Sequence, residues 1–204
     1  MAGVFNMLRA NDLIWSFYVN NYLLGKSPKA FDLLYWNSDS TRMPASMHTW
    51  YIKNFYVDDK LKEPNGVSID GTGVDLSRID IPTCFVSTIE DHIAPWKSTY
   101  AGTQLVSGPV KFILSGSGHI AGIINPPVAK KYNYRTSDNP SADPEKWVEN
   151  ARVNEGSWWP EWQNWISQKC GGKVPCRVPG DGKLDIIENA PGTYVRVRLD
   201  KESN

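Results

Sequence analysis

The sequence predicts an α/β fold built on a parallel sheet, and three neighbouring stretches carry that prediction. Residues 81–88 form a short apolar run rich in strand-forming side chains, and residues 110–114 form a second one. Residues 96–106 between them can form a helix, with Pro95 next to its start. Strands of that length joined through a helix are typical of a βαβ unit, whose two strands run parallel.

Two polar residues follow these strands, Asp91 after the first and His119 after the second. In open α/β sheets, functional residues lie just past the carboxyl ends of the strands. The order acid then histidine matches the last two members of an α/β-hydrolase triad. Asp91 would accept the Nδ1 proton of His119 across about 2.7–2.9 Å and leave His119 to act as general base. An aspartate and a histidine in these positions form a surface ion pair or a structural cap about as often as they form a catalytic pair.

A complete triad would also need a nucleophile on a strand-to-helix turn, and no Gly-x-Ser-x-Gly or Gly-x-Cys-x-Gly precedes Asp91. The serines of Ser115-Gly-Ser-Gly-His come immediately before the histidine, so they cannot form that turn. Cys84 lies inside a predicted strand, where it would be a small buried apolar side chain. His92, the alternative base, adjoins Asp91 in sequence and is poorly placed to be oriented by it.

Composition excludes several classes of function. Lys plus Arg and Asp plus Glu both number 22, and no basic run indicates a nucleic-acid surface. No apolar run approaches the roughly 20 residues of a membrane-spanning helix. Of the three cysteines, Cys170 and Cys176 could form a disulfide or half of a metal site, but no second pair or nearby histidine completes one, so free thiols are the favoured expectation.

The remaining sequence predicts helices on both sides of this unit. A helix over residues 13–24, preceded by Asn11-Asp12 as a cap and closed by Gly25, is apolar on all sides, which is typical of a buried helix. We expect it to lack the partners that would bury it, because the short N-terminal region does not supply them. A second helix over residues 45–57 has an aromatic face, which indicates core packing or, less often, a ligand wall.

Short strands and further helices complete the prediction. We expect a hairpin turning at Asp70-Gly71, a polar turn-rich segment over residues 130–144, and a tryptophan-rich helix packed against the sheet. The other predicted elements are a helix over residues 144–152 and strands over residues 184–187 and 193–199.

Several long motifs are more specific than this chemistry. They include Leu33-Leu-Tyr-Trp-Asn-Ser-Asp-Ser-Thr, Glu90-Asp-His-Ile-Ala-Pro-Trp, Gly116-Ser-Gly-His-Ile-Ala-Gly and Gly156-Ser-Trp-Trp-Pro-Glu-Trp. Through these motifs, nearly the whole chain resembles class I polyhydroxyalkanoate synthases, in particular their C-terminal part.

The resemblance implies the C-terminal portion of an α/β-hydrolase fold with part of a helical cap. Residues 1–60 would belong to the cap, 61–170 to the core, and 171–204 to a tail with short strands. The family uses a Cys–His–Asp triad to polymerise (R)-3-hydroxyacyl-CoA on cytoplasmic polyester granules without a cofactor. Asp91 and His119 would be its acid and base, and substrate contacts would come from Trp36, Asp39, Tyr51 and His92. A homodimer through the cap is a further expectation.

The family's nucleophilic cysteine would lie before the start of this sequence, so we expect this chain alone to be inactive. Two other readings stay open. One is a non-catalytic module that binds granules or a complete synthase, and the other is part of an esterase or thioesterase with the same fold. We also expect the parallel strands to leave an open sheet edge.

Overall fold

The computed structural model describes residue 7 and residues 10–28, 43–138 and 141–193. The chain divides into two compact units, Met1–Val74 and Asp75–Asn204. In the described residues, no helix is both long and apolar enough to cross a membrane.

The first unit begins with the predicted N-terminal helix. Its wide turns span Asn11–Trp15 and Tyr18–Leu23, with the amide of Leu24 donating to the carbonyl of Val19 at 3.0 Å. Gly25 ends the helix with φ +62°, a conformation that glycine adopts without strain. The predicted cap by Asn11-Asp12 is wrong, because the backbone is already helical at the preceding residue and no side chain caps the end.

The second helix of this unit is confirmed over its predicted length. Helix α1 spans Ala45–Tyr51, and wider turns continue it over Ile52–Val57. Pro44 precedes the helix in an extended conformation, with ψ 137°. Proline is favoured at a helix start because its φ is fixed near the helical value and it lacks the amide that a helix start leaves unpaired. A short 3-10 turn, Lys60–Lys62, follows.

The predicted hairpin closes the first unit. Strands β1 (Val67–Ile69) and β2 (Thr72–Val74) pair antiparallel, with Ile69 opposite Thr72. The two turn residues Asp70 and Gly71 both have positive φ, at 49° and 74°. Two such residues are the signature of the tight hairpin turn that Asp-Gly favours.

The second unit contains a four-stranded sheet that confirms the βαβ prediction. Strands β3 (Thr83–Thr88) and β4 (Val110–Ser115) are parallel neighbours, and helix α2 (Trp96–Gly102) connects them. The helix ends earlier than expected, because the chain after Gly102 turns back with short hydrogen bonds such as Gln104 N to Ala101 O.

Two further strands were missed by sequence reasoning. Strands β5 (Asn133–Thr136) and β6 (Arg152–Glu155) extend the sheet antiparallel, in the order β3-β4-β5-β6. Each has four residues, and β6 is largely exposed. Their polar composition is typical of a loop, which is why the sequence did not indicate strands. The prediction of a turn-rich segment over residues 130–144 is wrong at β5, and the prediction of a helix that reaches Arg152 is wrong because β6 begins at that residue.

Two helices pack in this unit, and the segment after them is irregular. Helix α3 (Pro144–Asn150) is capped by Asp143, whose carboxylate accepts the Glu145 amide at 2.9 Å. Helix α4 (Trp159–Ser167) is the predicted tryptophan helix. The strand predicted over residues 184–187 is wrong, since these residues form no ladder. Most of the strand predicted over residues 193–199 lies outside the described residues.

The core of the second unit is a cluster of aromatic rings on one face of the sheet. Phe112 of β4 meets Tyr100 of α2 and Trp147 of α3 edge-to-face, with ring centroids 4.9 Å apart in both pairs. All three rings and Leu114 are buried. Burial of large apolar side chains, with edge-to-face ring contacts, is the main force that holds both helices on the sheet.

The open sheet edge expected from the sequence is found at β3, which lies at one end of the strand order. Within the part of the chain that the structure describes, β4 is the only strand that pairs with β3. The backbone groups on its other side are therefore available to another strand.

Candidate active site

The candidate site lies where the two parallel strands end. In the register of β3 and β4, Thr88 pairs with Ser115, so both strands stop at the same level of the sheet. Asp91 and His119 follow these ends, and the Nδ1 atom of His119 lies 2.8 Å from Oδ2 of Asp91. The predicted contact between the carboxylate and the imidazole is confirmed.

The Asp91 carboxylate is held rigidly, with a different task for each oxygen. Oδ1 accepts the backbone amides of Ile93 at 2.9 Å and Ala94 at 2.8 Å. Oδ2 is left for His119. The Asp91 side chain is only 7% exposed, so the loop that carries it fixes the direction in which Oδ2 points.

These contacts favour a charged carboxylate. Burial acts to raise the pKa of Asp91, but hydrogen bonds from the Ala94 amide, the His119 ring and the Ile93 amide outweigh it, and the pKa is lowered overall. Asp91 is therefore ionised at neutral pH. An ionised carboxylate accepts the Nδ1 proton and stabilises an imidazolium when one forms.

The His119 ring is open on its other side. The ring side chain is 44% exposed, and no described residue hydrogen-bonds Nε2. With Nδ1 donating to Asp91, a neutral His119 carries its lone pair on Nε2. Nε2 is thus the atom able to take a proton from a reactant.

Backbone hydrogen bonds join the acid loop to the loop that carries the histidine. The amide of Ile89 donates to the Ser115 carbonyl at 2.9 Å, and the amide of Glu90 donates to the Ser117 carbonyl at 3.1 Å. Ser117 has φ +69°, an uncommon value for a residue with a side chain. The sharp turn there directs the chain from β4 into the segment Gly118–Ile124, here called the histidine turn.

The histidine turn packs against β3 so closely that Gly122 has no room for a side chain. A Cβ there would lie 2.4 Å from Cγ2 of Thr88 and 2.5 Å from the carbonyl oxygen of Gly116. The Gly122 carbonyl accepts the hydroxyl of Ser115 at 2.8 Å. Ser115 is buried and committed to this bond, which argues against a nucleophilic role.

Two tryptophans reach the histidine turn from another part of the chain, and sequence reasoning missed their role. The indole N–H of Trp158 donates to the Gly122 carbonyl at 3.1 Å, and that of Trp159 donates to the Ile123 carbonyl at 2.9 Å. The tryptophans were expected to pack on the sheet. Trp165 agrees with that expectation, since it lines a cavity over the sheet together with Phe112. The sequence signal for the other contact was the adjacent pair of tryptophans in Ser157-Trp-Trp-Pro, which precedes the helix face that was expected to pack.

The other predicted site residues are placed as follows. Trp36 and Asp39 lie outside the described residues. Tyr51 lies in the first unit, where its hydroxyl is 3.3 Å from that of Tyr56, and this hydrogen bond raises the pKa of Tyr51. His92 is exposed and adjoins Asp91 in sequence, and the Asp91 carboxylate contacts the ring of His119.

The described cysteines do not supply a nucleophile at this site. Cys84 lies in β3, and burial raises the pKa of its thiol to about 11, which leaves it unreactive at neutral pH. Cys170 and Cys176 are exposed in the chain after α4. The connection from β3 to α2 carries Asp91 and no serine or cysteine. Among the described residues, the site therefore consists of a carboxylate and an imidazole in contact.

Comparison with known proteins agrees with this fold. Residues 1–126 match the family model described as the alpha/beta hydrolase fold, and the chain therefore belongs to the α/β-hydrolase fold family. Within that family, it is similar to poly(3-hydroxyalkanoate) polymerases, which confirms the resemblance seen in the sequence motifs.

Three relatives illustrate the similarity. The chain is 52% identical to poly(3-hydroxyalkanoate) polymerase subunit PhaC of Rhizobium meliloti and 42% identical to that of Cupriavidus necator. It is 43% identical to poly(3-hydroxyalkanoate) polymerase 2 of Ectopseudomonas oleovorans. Each match covers 97% of this chain but only 32–35% of the relative. The chain thus spans about a third of the length of these relatives.

Proposed function

We propose that this chain supplies the acid and base of a poly(3-hydroxyalkanoate) polymerase, an acyltransferase that polymerises (R)-3-hydroxyacyl-CoA. The observation that carries the proposal is the 2.8 Å contact between His119 Nδ1 and Asp91 Oδ2, with the other side of the ring open. The similarity to named polymerases over 97% of the chain supports the substrate class.

In the first step, His119 activates a cysteine thiol carried by a segment that the relatives have beyond this match. Nε2 removes the thiol proton, and the sulfur attacks the thioester carbonyl of the substrate. The carbon–sulfur bond to CoA breaks, CoA leaves with a proton returned by the imidazolium, and the acyl group remains on the cysteine. Asp91 stabilises the imidazolium while it exists.

In the second step, His119 acts on an alcohol. Nε2 removes the proton from the 3-hydroxyl group of an incoming monomer or growing chain, and that oxygen attacks the acyl-cysteine. An ester forms and the cysteine thiol is released with the proton from His119. Water would compete for the acyl group, so the reaction requires a site that excludes it. No cofactor is needed, because the thioester itself supplies the driving force.

The remaining assignments are part of the same proposal. Trp36, Asp39, Tyr51 and His92 would contact substrate, residues 1–60 would contribute to a cap, and a homodimer would form through it. The protein would act in the cytoplasm at the surface of polyester granules. His119 is exposed on the side away from Asp91, and the connection from β3 to α2 carries no serine or cysteine. Both observations support the expectation that this chain alone does not polymerise.

A second candidate is a non-catalytic module that binds granules or a complete polymerase. The N-terminal helix favours it, because that helix exposes many large apolar side chains, namely Ile14, Trp15, Phe17, Tyr18, Val19, Tyr22, Leu23 and Leu24. Contiguous exposed apolar surface commonly marks an interaction site. On this alternative, the Asp91–His119 pair would be retained only as a structural contact.

Reconstitution separates these candidates. This chain would be co-expressed with the part of the Rhizobium meliloti polymerase subunit that it does not match, and CoA release from (R)-3-hydroxybutyryl-CoA would be followed together with the acyl product. The proposal predicts CoA release with polyester formation, and none from either part alone. Release of free 3-hydroxybutyrate in place of polymer would indicate a thioesterase. No CoA release from a stable complex of the two parts would support the non-catalytic module.

A further inference from the structure

The exit of the histidine turn is held by side chains that are distant in sequence. Trp159 donates its indole N–H to the Ile123 carbonyl at 2.9 Å. Trp158 donates to the Gly122 carbonyl at 3.1 Å and also lies 3.3 Å from the Ile123 carbonyl. Two indoles are therefore aimed at two adjacent carbonyls, three and four residues beyond His119.

Those carbonyls need partners because of how the turn is built. Gly122 donates its amide to the Gly118 carbonyl at 2.9 Å, and Ile124 donates to the Ile120 carbonyl at 2.8 Å. This is a single helical turn, and the last carbonyls of a helical turn have no partner within it. Without the indoles, the carbonyl of Ile123 would have to find water or the turn would shift.

The entry of the same turn is fixed from the loop after β3, since the Glu90 amide donates to the Ser117 carbonyl. At the exit, the Ser115 hydroxyl at the end of β4 is a second donor to the Gly122 carbonyl. His119 lies between this entry and the exit held by tryptophan. A ring nitrogen can stay 2.8 Å from a buried carboxylate only if the turn that carries the ring keeps its position.

The tryptophans are themselves anchored at the start of a helix. Trp159 is the first residue of α4, its amide donates to the Ser157 hydroxyl at 3.2 Å, and Ser157 is buried. Pro160 follows within the first turn, where its fixed φ favours the helix. The direction of the indole is thus set by the start of α4, independently of the two loops that form the dyad.

Burial does not account for Trp159. Its side chain is 37% exposed, close to the 39% of Trp162, which lies on the same helix and lines the same apolar groove. Of the two, only the Trp159 indole donates to the histidine turn among the described contacts. Trp162 is therefore a control of similar exposure on the same helix that lacks that hydrogen bond.

We infer that Trp159, assisted by Trp158, is a positioning residue for His119, holding the histidine turn so that Nδ1 faces Asp91. The inference rests on the proposed function in giving His119 the role of general base. Trp159 acts through the backbone of Ile123 and does not itself contact the reacting atoms.

The test is a nitrogen NMR measurement on the chain labelled with ¹⁵N in its histidine rings, comparing Trp159→Phe with Trp162→Phe. The unsubstituted chain and Trp162→Phe are expected to show His119 as one tautomer, with a slowly exchanging downfield Nδ1 proton. Trp159→Phe is expected to lose that proton signal and to show averaged ring nitrogens. Thermal unfolding of both variants records their structural cost separately.

An isosteric replacement covers the case in which phenylalanine prevents folding. Benzothienylalanine at position 159 keeps the ring size and removes only the N–H donor, so it should reproduce the loss. A His119 signature unchanged by either replacement, or absent from the unsubstituted chain, would overturn the inference. No acyl transfer is measured, so this outcome and a failure of the proposed reaction are distinguishable.

Discussion

At the scale of single residues, the site depends on how Asp91 divides its two carboxylate oxygens. Backbone amides occupy Oδ1, and the histidine ring occupies Oδ2. The backbone contacts come from Ile93 and Ala94, in the same loop that carries Asp91. The position of Oδ2, the atom that orients the histidine, is therefore determined by the loop after β3.

The lowered pKa of Asp91 predicts a dependence of stability on pH. A carboxyl with a lower pKa in the folded than in the unfolded state stabilises the fold above its unfolded pKa of about 3.9. That contribution is lost as the pH falls through the lower folded pKa. Asp91→Asn should remove it. Unfolding by urea between pH 6 and about pH 3 should therefore show a smaller loss of stability in the variant than in the parent chain, and equal losses would contradict the prediction.

A second prediction concerns Gly122. In Gly122→Ala, the new Cβ would meet Thr88 and the Gly116 carbonyl at 2.4–2.5 Å, so the turn must shift. Overpacking of this kind costs about 1–3 kcal/mol of unfolding free energy. Gly172→Ala is the control, because nothing lies within 4 Å of a Cβ there, and its effect should stay within about 0.5 kcal/mol. Equal denaturation midpoints for the two variants would be inconsistent with the close packing of the turn.

At the scale of elements, the pairing of β3 with β4 brings the two site loops together. Six residue pairs align in parallel, from Thr83 with Val110 to Thr88 with Ser115. The aromatic cluster holds α2 and α3 over this pair. The contact between the dyad residues thus depends on packing on one face of the sheet.

Trp147→Ala tests that dependence. Trp147 is 2% exposed and meets Phe112 at 4.9 Å and Tyr100 at 5.7 Å between ring centroids. Truncating such a side chain costs roughly 3–5 kcal/mol. The thermal midpoint should therefore fall far more than in Trp162→Ala, whose side chain is 39% exposed. Similar midpoints in calorimetry would show that the cluster does not hold the sheet.

The elements that sequence predicted are those whose signals are local. The apolar runs of β3 and β4 and the acid and histidine after them required only neighbouring residues, and so did the Asp70-Gly71 hairpin. Strands β5 and β6 are four-residue, polar and partly exposed, so pairing within the sheet decides their conformation. The link from Trp159 to Ile123 spans 36 residues, and no periodicity reveals a contact of that kind.

At the scale of the whole molecule, the chain exposes apolar surface on its N-terminal helix. Tyr22 is 76% exposed, and Leu23 and Leu24 are both 58% exposed. The sequence predicted a helix that would normally be buried but that lacks partners in this chain, and its exposure within the described residues agrees with that prediction. The apolar composition of the helix remains, and water is an unfavourable neighbour for it.

We therefore predict that the isolated chain self-associates as its concentration rises. Replacing Trp15, Tyr22 and Leu23 by glutamine, which keeps good helix propensity at these exposed positions, should shift sedimentation toward the monomer and reduce binding of an apolar dye. Replacement of the exposed Ile187 by glutamine, outside this helix, is the control. A monodisperse monomer at all concentrations in the unsubstituted chain would contradict the prediction.

The central claim is that His119, oriented by Asp91, is the general base of an acyltransferase. The most direct test compares His119→Gln with His92→Gln in the reconstituted protein, measuring acylation of the partner segment's cysteine by mass spectrometry after rapid mixing with (R)-3-hydroxybutyryl-CoA. A positioned general base contributes about 10²–10⁴-fold to a rate. We predict a loss of that size for His119→Gln and a smaller loss for His92→Gln, since His92 is proposed only to contact substrate. Undiminished acylation in His119→Gln, or a loss confined to His92→Gln, would contradict the claim.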